Sequence, residues 1–380
     1  MNLIVDENIA FVKEAFSGIG NLMLMNGRSI TKKEVNDADV LIVRSITQVD
    51  KELLKNSKVK FIATATIGTD HIDLEYLESN KIKFADAKGC NADSVAEYVF
   101  TALLKVTSEE NFSLEEKTIG VVGVGNTGSR MVRLAESFGM KVLKNDPPLE
   151  RKGIGKDYVT LDEALSADVV TLHVPLSQKG TDKTFHLLNG DNLKKIKPGT
   201  ILINTARGAV IDNDTLLKES SERNFKLILD VWENEPSLNT SLLEKSKVGT
   251  AHIAGYSFEG KVNGTKMIYN SLCKYYNIEP IWQPALPKIG QTHLRIPEGK
   301  TDEEKLYRLF SSIYDIEKDD SKLKNITNYK PNERAGYFDR LRKEYPVRRE
   351  FVNYTVNLSE KEKHLKKILE SFRFKVKENS

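Results

Sequence analysis

The chain has 380 residues, 39% hydrophobic and 29% charged, with a formal net charge of +3, enough for two or three domains of an ordinary globular protein. So small a positive excess does not mark a nucleic-acid binder, and no apolar run approaches the roughly 18 residues of a membrane span. The start, MNLIVDENIAF, lacks the basic region and long apolar stretch of a secretory leader, and the two cysteines, Cys90 and Cys273, form no C-x-x-C pair, so a reducing, cytoplasmic setting is expected.

Residues 1–92 read as a small α/β unit. Short apolar strands at Leu3–Val5, Val40–Val43, Phe61–Ala65 and Ile82–Ala85 alternate with helical segments such as Val49–Asn56 and Asp73–Ser79. That alternation predicts a parallel sheet covered on both faces. The segments after the strands are polar or glycine-bearing, and such loops hold ligands in open parallel sheets. Arg44, Ser45 and Thr66 lie in them and are candidate substrate contacts. Asp70 and His71 lack partners at metal-ligand spacing, so no metal is expected.

Asp93 and Ser94 offer a helix start, and Val95, Tyr98, Val99, Ala102, Leu103 and Val106 follow at helical spacing, as in a buried crossover helix. Thr118 to Pro147 is the stretch around which the chain is organised. A strand, Ile119–Val122, runs into Gly123, Gly125, Asn126, Thr127 and Gly128, spaced G-x-G-x-x-G. An amphipathic helix then ends near Gly139, and a second strand, Lys141–Lys144, leads to Asp146. The first glycine allows a tight turn, the second lets a pyrophosphate reach the backbone, and the third brings helix and strand together, while the helix N-terminus offers free N–H groups to the phosphates. An acid ending the second strand would meet the ribose 2′-hydroxyl and repel a 2′-phosphate, so NAD is favoured over NADP.

Four further strands end in polar clusters. Val169–His173 runs into Val174-Pro175, Thr200–Asn204 into Thr205-Ala206-Arg207, Leu227–Val231 into Trp232–Pro236, and Val248–Ala251 into His252. A doubly wound sheet brings such ends to one edge. Arg207, Glu235 and His252 suit oxidation of a 2-hydroxy acid. The arginine would hold the substrate carboxylate bidentately, the histidine would take the hydroxyl proton, and the glutamate would orient the imidazole. A helix over about 262–277 returns to the first lobe. After a proline-bearing linker, the tail from Lys288 reads as strand His293–Ile296, helix Glu303–Asp315, strand Phe351–Leu358, helix Glu360–Phe372 and strand Phe374–Lys377.

The segments TATIGTDHID, KGCNADSVAEYV, GVVGVGNTG, NDPP, INTARGAVIDN, LDVWENEP and HIAGYSFEGKVNGT resemble the D-isomer-specific 2-hydroxyacid dehydrogenases. In the tail, YDIEKDDSKL and FDRLRKEYPVRREF resemble the branch that serves pyridoxal phosphate (vitamin B6) synthesis. The resemblance implies three parts: a flavodoxin-like α/β substrate domain over 1–92 completed by about 268–284, a Rossmann doubly wound parallel-sheet NAD domain over 93–267, and a small α/β C-terminal dimerisation domain over 288–380, separable from the catalytic lobes. It implies NAD-linked oxidation of 4-phospho-D-erythronate by a homodimer, with Arg207, Glu235 and His252 catalytic. It also implies that Ser45, Thr66 and Tyr256 touch substrate, and that Asp146, Thr205 to Arg207, Asp230 and Gly255 touch NAD. Arg44, beside Ser45, is the first candidate for the substrate phosphate. The family often has threonine where this chain has Val174, so only a backbone contact to NAD is expected there. Another hydroxyacid dehydrogenase, such as one for 3-phosphoglycerate, and a non-catalytic NAD-sensing protein on the same fold remain alternatives.

Overall fold

The computed structural model describes residues 1–110 and 112–378. The chain divides into two compact units. One comprises Met1–Asn91 and Ser257–Lys288, and the other comprises Ala92–Tyr256 and the tail from Ile289.

The first unit is built on a parallel sheet of β1 (Asn2–Asp6), β2 (Asn21–Met25), β3 (Val40–Val43), β4 (Phe61–Thr64) and β5 (Lys83–Ala85), in the order β2-β1-β3-β4-β5. This is the flavodoxin-like order. Every residue of β3 and β4 is buried, as continuous apolar runs require when both faces are covered. The strand Asn21–Met25 was not legible because NLMLM is half exposed, with none of its residues buried. Helix Phe258–Tyr276 closes one face. Ser257 caps it by accepting from Gly260 N at 2.8 Å, and Tyr269 meets Phe16 edge-on at 5.8 Å.

The second unit carries a six-stranded parallel sheet of β6 (Thr118–Val122), β7 (Lys141–Asn145), β8 (Val169–Leu172), β9 (Ile201–Asn204), β10 (Lys226–Leu229) and β11 (Val248–Gly249), ordered β11-β10-β9-β8-β6-β7. A parallel bridge from Lys144 to Tyr158 extends it beyond β7, which completes the dinucleotide-binding strand order. The order reverses at β6, so the crevice between the ends of β6 and β8 is the ligand position that such a sheet offers. Pro147–Arg151 is a short helix, because Asp146 caps it and a proline fits its first turn.

The tail forms a third parallel sheet, β12 (His293–Arg295), β13 (Thr355–Leu358) and β14 (Lys375–Glu378). The predicted strand Phe351–Leu358 is shorter than expected, since Phe351–Asn353 is a 3-10 turn. Two charged helices, Ile316–Lys324 and Pro331–Lys343, escaped sequence reading because few of their residues are buried. The tail is not self-contained. Phe372 packs edge-on to Phe100 of the crossover helix Ala92–Glu110 at 5.4 Å, Phe100 stacks flat on Phe138 at 5.4 Å, and Phe310 meets Phe372 at 4.8 Å. One hydrophobic core therefore spans the crossover helix, the glycine-loop helix and the tail. Arg373 reinforces it by bridging the buried carboxylates of Glu97, at 3.2 Å, and Glu350, at 2.7 Å.

Candidate active site

The glycine loop has an internal logic that distinguishes its three positions. Gly123 has φ +86°, and a Cβ there would lie 2.8 Å from the His173 carbonyl. A Cβ on Gly128 would overlap the Gly123 carbonyl oxygen. Both glycines are demanded by the chain's own packing. Gly125 has nothing within 4 Å of a Cβ, so its bareness serves something outside the chain. It caps helix Asn126–Ser137, which opens with Asn126 and Thr127 and whose first N–H groups are free for an anion. Asp146 has a second job that spacing did not reveal. Its Oδ2 accepts from Val124 N at 2.8 Å, and its Oδ1 accepts from Leu149 N at 3.0 Å, so it holds the glycine loop to the end of β7.

At the end of β9, Asn204 organises the next loop. Its Oδ1 accepts from Ala206 N at 3.0 Å, and its Nδ2 donates to Arg207 O at 3.0 Å. The Thr205 hydroxyl is buried without a hydrogen-bond partner among the described residues, a cost of about 1–3 kcal/mol that a bound polar group would relieve. With the open space at Gly125, this orphan hydroxyl fits a dinucleotide. Val174 stands beside Gly123: its Cγ1 would be 2.9 Å from a Cβ there. Gly208 is required because a Cβ would overlap the Trp232 carbonyl. That close approach draws the Arg207 loop against the loop that carries Glu235.

The third loop hangs on Asp230. Its carboxylate is buried and accepts from Thr250 Oγ1 at 2.6 Å, Ile253 N at 2.7 Å and Ala254 N at 3.0 Å, while its carbonyl accepts from His252 N at 2.7 Å. Asp230, expected as an NAD contact, is thus first the clamp of the histidine loop, with one carboxylate acceptor position to spare. His252 sits at φ 55°, a left-handed conformation uncommon for any residue but glycine, and the clamp sustains it.

His252 Nδ1 shares a hydrogen bond with Glu235 Oε1, and Glu235 Oε2 accepts from Trp232 N at 3.2 Å. Burial alone would raise the Glu235 carboxyl, but the His252 ring, aided by Arg342 and the Trp232 N–H, holds it below its usual range. The other histidine at a strand end is different in kind. His173 bonds Thr171 Oγ1 at 2.8 Å, and burial pushes its pKa down to about 3, so it stays neutral. With Nδ1 engaged, His252 presents Nε2 for proton transfer.

Gly255 and Tyr256 follow directly on this loop. Tyr256 N donates to Ile253 O at 2.8 Å, and the ring meets Tyr345 of the tail edge-on at 5.7 Å. In the first unit, Arg44 and Ser45 occupy the turn after β3. Thr66 lies after β4, where its hydroxyl bonds Thr64 Oγ1 at 2.8 Å and donates to Gly68 O at 3.1 Å. Among the described residues no cluster of three His, Cys, Asp or Glu side chains could hold a metal, and no described helix is long and apolar enough to cross a membrane. Sequence reading missed the tail residues near the histidine loop, Arg342 and Arg348. Within FDRLRKEYPVRREF they are indistinguishable from solvated helix charges.

Comparison with known proteins agrees with this geometry. Residues 99–254 match the family model described as D-isomer specific 2-hydroxyacid dehydrogenase, NAD binding domain, and residues 286–370 match a domain of unknown function, DUF3410. The chain is 41% identical over 364 residues to erythronate-4-phosphate dehydrogenase of Cronobacter sakazakii, covering 94% of each chain. It is 42% identical over 363 residues to the enzyme of the same name from Escherichia coli O1:K1 / APEC, again covering 94% of each. Among solved structures, D-lactate dehydrogenase from Aquifex aeolicus with NAD and lactic acid has TM-score 0.59 at 27% identity, covering 73% of this chain and 96% of its own. NAD-bound 3-phosphoglycerate dehydrogenase from Entamoeba histolytica has TM-score 0.62 at 25% identity, covering 73% and 95%. A dinucleotide cradle, a histidine–carboxylate pair beside an arginine loop, and likeness over nearly the whole length converge: the chain belongs to the erythronate-4-phosphate dehydrogenases, within the NAD-dependent D-isomer-specific 2-hydroxyacid dehydrogenase family.

Proposed function

We infer that the protein oxidises the C2 hydroxyl of 4-phospho-D-erythronate to give 2-oxo-3-hydroxy-4-phosphobutanoate, a step of pyridoxal 5′-phosphate biosynthesis. The observation that carries the reading is the His252–Glu235 pair beside the Arg207 loop, on a sheet whose glycine loop fits a dinucleotide. Bound NAD supplies the hydride acceptor. Arg207 holds the C1 carboxylate as a bidentate pair. His252 Nε2 takes the hydroxyl proton while the C2 hydrogen leaves as hydride, so the products are a ketone, NADH and a protonated imidazole. Glu235 faces that imidazolium and stabilises its charge. Gly123, Gly125, Asn126, Thr127, Gly128, Asp146, Val174, Thr205, Ala206, Asp230 and Gly255 are the proposed NAD contacts. Ser45, Thr66 and Tyr256 are the proposed substrate contacts, with Arg44 near the phosphate.

The first unit would serve as the substrate lid and the sheet of β6 to β11 as the NAD domain. The tail would mediate a two-fold homodimer, the commonest closed assembly. Both cysteines are free, which accords with a cytoplasmic site of action. The test is NADH formation with 4-phosphoerythronate, 3-phosphoglycerate and unphosphorylated erythronate. A preference for 3-phosphoglycerate would overturn the substrate assignment, and no turnover with any of them would overturn the enzyme reading. Light scattering across a dilution series checks the dimer, and a constant monomer mass would reject it.

A further inference from the structure

We propose that the tail completes the substrate pocket, with Arg342 as the cation that selects the phosphorylated end of the substrate. The inference rests on the reading of the substrate as a phosphorylated hydroxy acid.

Arg342 lies in the last turn of helix Pro331–Lys343, and its guanidinium carbon stands 5.8 Å from the centroid of the Tyr256 ring. Burial alone would disfavour its charge, but the Tyr256 side chain and the carboxylates of Glu235 and Asp230 favour it. It therefore stands at the histidine loop rather than out in solvent. Its neighbours hold it there. Tyr345 packs edge-on to Tyr256 and donates to Asp319 Oδ2 at 2.7 Å, and Arg348 donates to the Ala254 carbonyl at 2.6 Å. The tail thus grips residues 254 to 256, directly after His252.

Two facts point to a ligand. Arg342 Nε is buried without a hydrogen-bond partner among the described residues, and a buried charged donor left unmade is costly. The charge balance also asks for a cation. The substrate brings a carboxylate and a phosphate near −2, while Asp230 and Glu235 already place two acids beside His252. Arg207 is assigned to the carboxylate, and a phosphate near −2 calls for more than the single cation proposed at Arg44, so a second guanidinium fork suits it.

The comparisons sharpen this. The D-lactate and 3-phosphoglycerate dehydrogenase structures span nearly all of their own chains but 73% of this one. The tail has its own family model, residues 286–370, and the relatives named for erythronate 4-phosphate are matched over 94% of this chain. A phosphate on C4 lies one carbon farther from the reacting C2 than a phosphate on C3, and Arg342 is a cation carried on the segment, residues 286–370, that has a family model of its own.

The test uses the full chain. Arg342→Gln should lower kcat/KM for 4-phosphoerythronate by about 10- to 100-fold more than for unphosphorylated erythronate, mainly through KM, as expected for losing a charge-assisted hydrogen bond. In the unaltered protein, inorganic phosphate should protect Arg342 from phenylglyoxal, read by peptide mass; this arm stands even if the variant folds poorly. Equal losses on both substrates, or no protection by phosphate, would overturn the proposal. Absence of turnover with 4-phosphoerythronate in the unaltered protein would instead strike the functional reading, leaving the phosphate-protection result to decide the role of Arg342.

Discussion

Asp230 and His252 are joined through the backbone, the His252 N–H donating to the Asp230 carbonyl at 2.7 Å, while the Asp230 carboxylate holds the next two N–H groups. The His252 loop is thus shaped by an acid one strand away. Asp230→Asn would turn an amide donor towards donors. A loss of roughly 2–4 kcal/mol is expected, with a lower kcat. Urea unfolding beside steady-state kinetics checks it. A rise in the NAD Michaelis constant at unchanged stability would show a cofactor contact alone.

Asp146 supports the glycine loop, and its proposed second role is to meet the ribose of NAD. Asp146→Ala should narrow the preference for NAD over NADP, weaken both cofactors, and cost about 1 kcal/mol through loss of the helix cap. Fluorescence titration with each dinucleotide measures this. Equal affinities in the unaltered protein would refute the role of the acid in selection.

His252→Ala should lower kcat by about 10²- to 10⁴-fold, the usual worth of a positioned general base, with NAD binding retained. Arg207→Lys should cost about 10- to 100-fold in kcat/KM, because a point charge replaces a planar fork. Near-normal turnover in His252→Ala would remove it as the proton carrier.

Glu235 has a pH signature. Its folded pKa lies below the ordinary carboxylate value, so its stabilising contribution is full above the unfolded pKa and is lost as pH falls through the lower, folded value. The stability difference between the unaltered protein and Glu235→Gln should be largest near neutrality and shrink in acid. A constant difference in melting temperature down the acid range would contradict the paired carboxylate.

Removing residues 289–380 tests the shared core. From sequence, the tail looked like a separable dimerisation domain whose loss leaves an NAD-binding monomer. Because Phe310 and Phe372 pack with Phe100 and Phe138, truncation should expose that aromatic face and abolish cooperative folding. A truncated protein with a sharp melting transition and intact NAD binding would show the lobes to be independent.

The strands of both large sheets except Asn21–Met25, the glycine loop and the positions of Arg207, Glu235 and His252 after strand ends were legible in the sequence because each depends on local pattern. Buried parallel strands are apolar runs, and a dinucleotide turn needs glycines at fixed spacing. What the sequence could not disclose were contacts between residues far apart along the chain. The clamp of Asp230 on residues 250 to 254, the hold of Asp146 on Val124, and the tail's grip on Ala254 and Tyr256 leave no periodicity to read. Arg342 and Arg348 look like surface charges until packing half-buries the first and buries the second. Only burial in the folded chain separates an arginine that faces water from one that packs against the histidine loop.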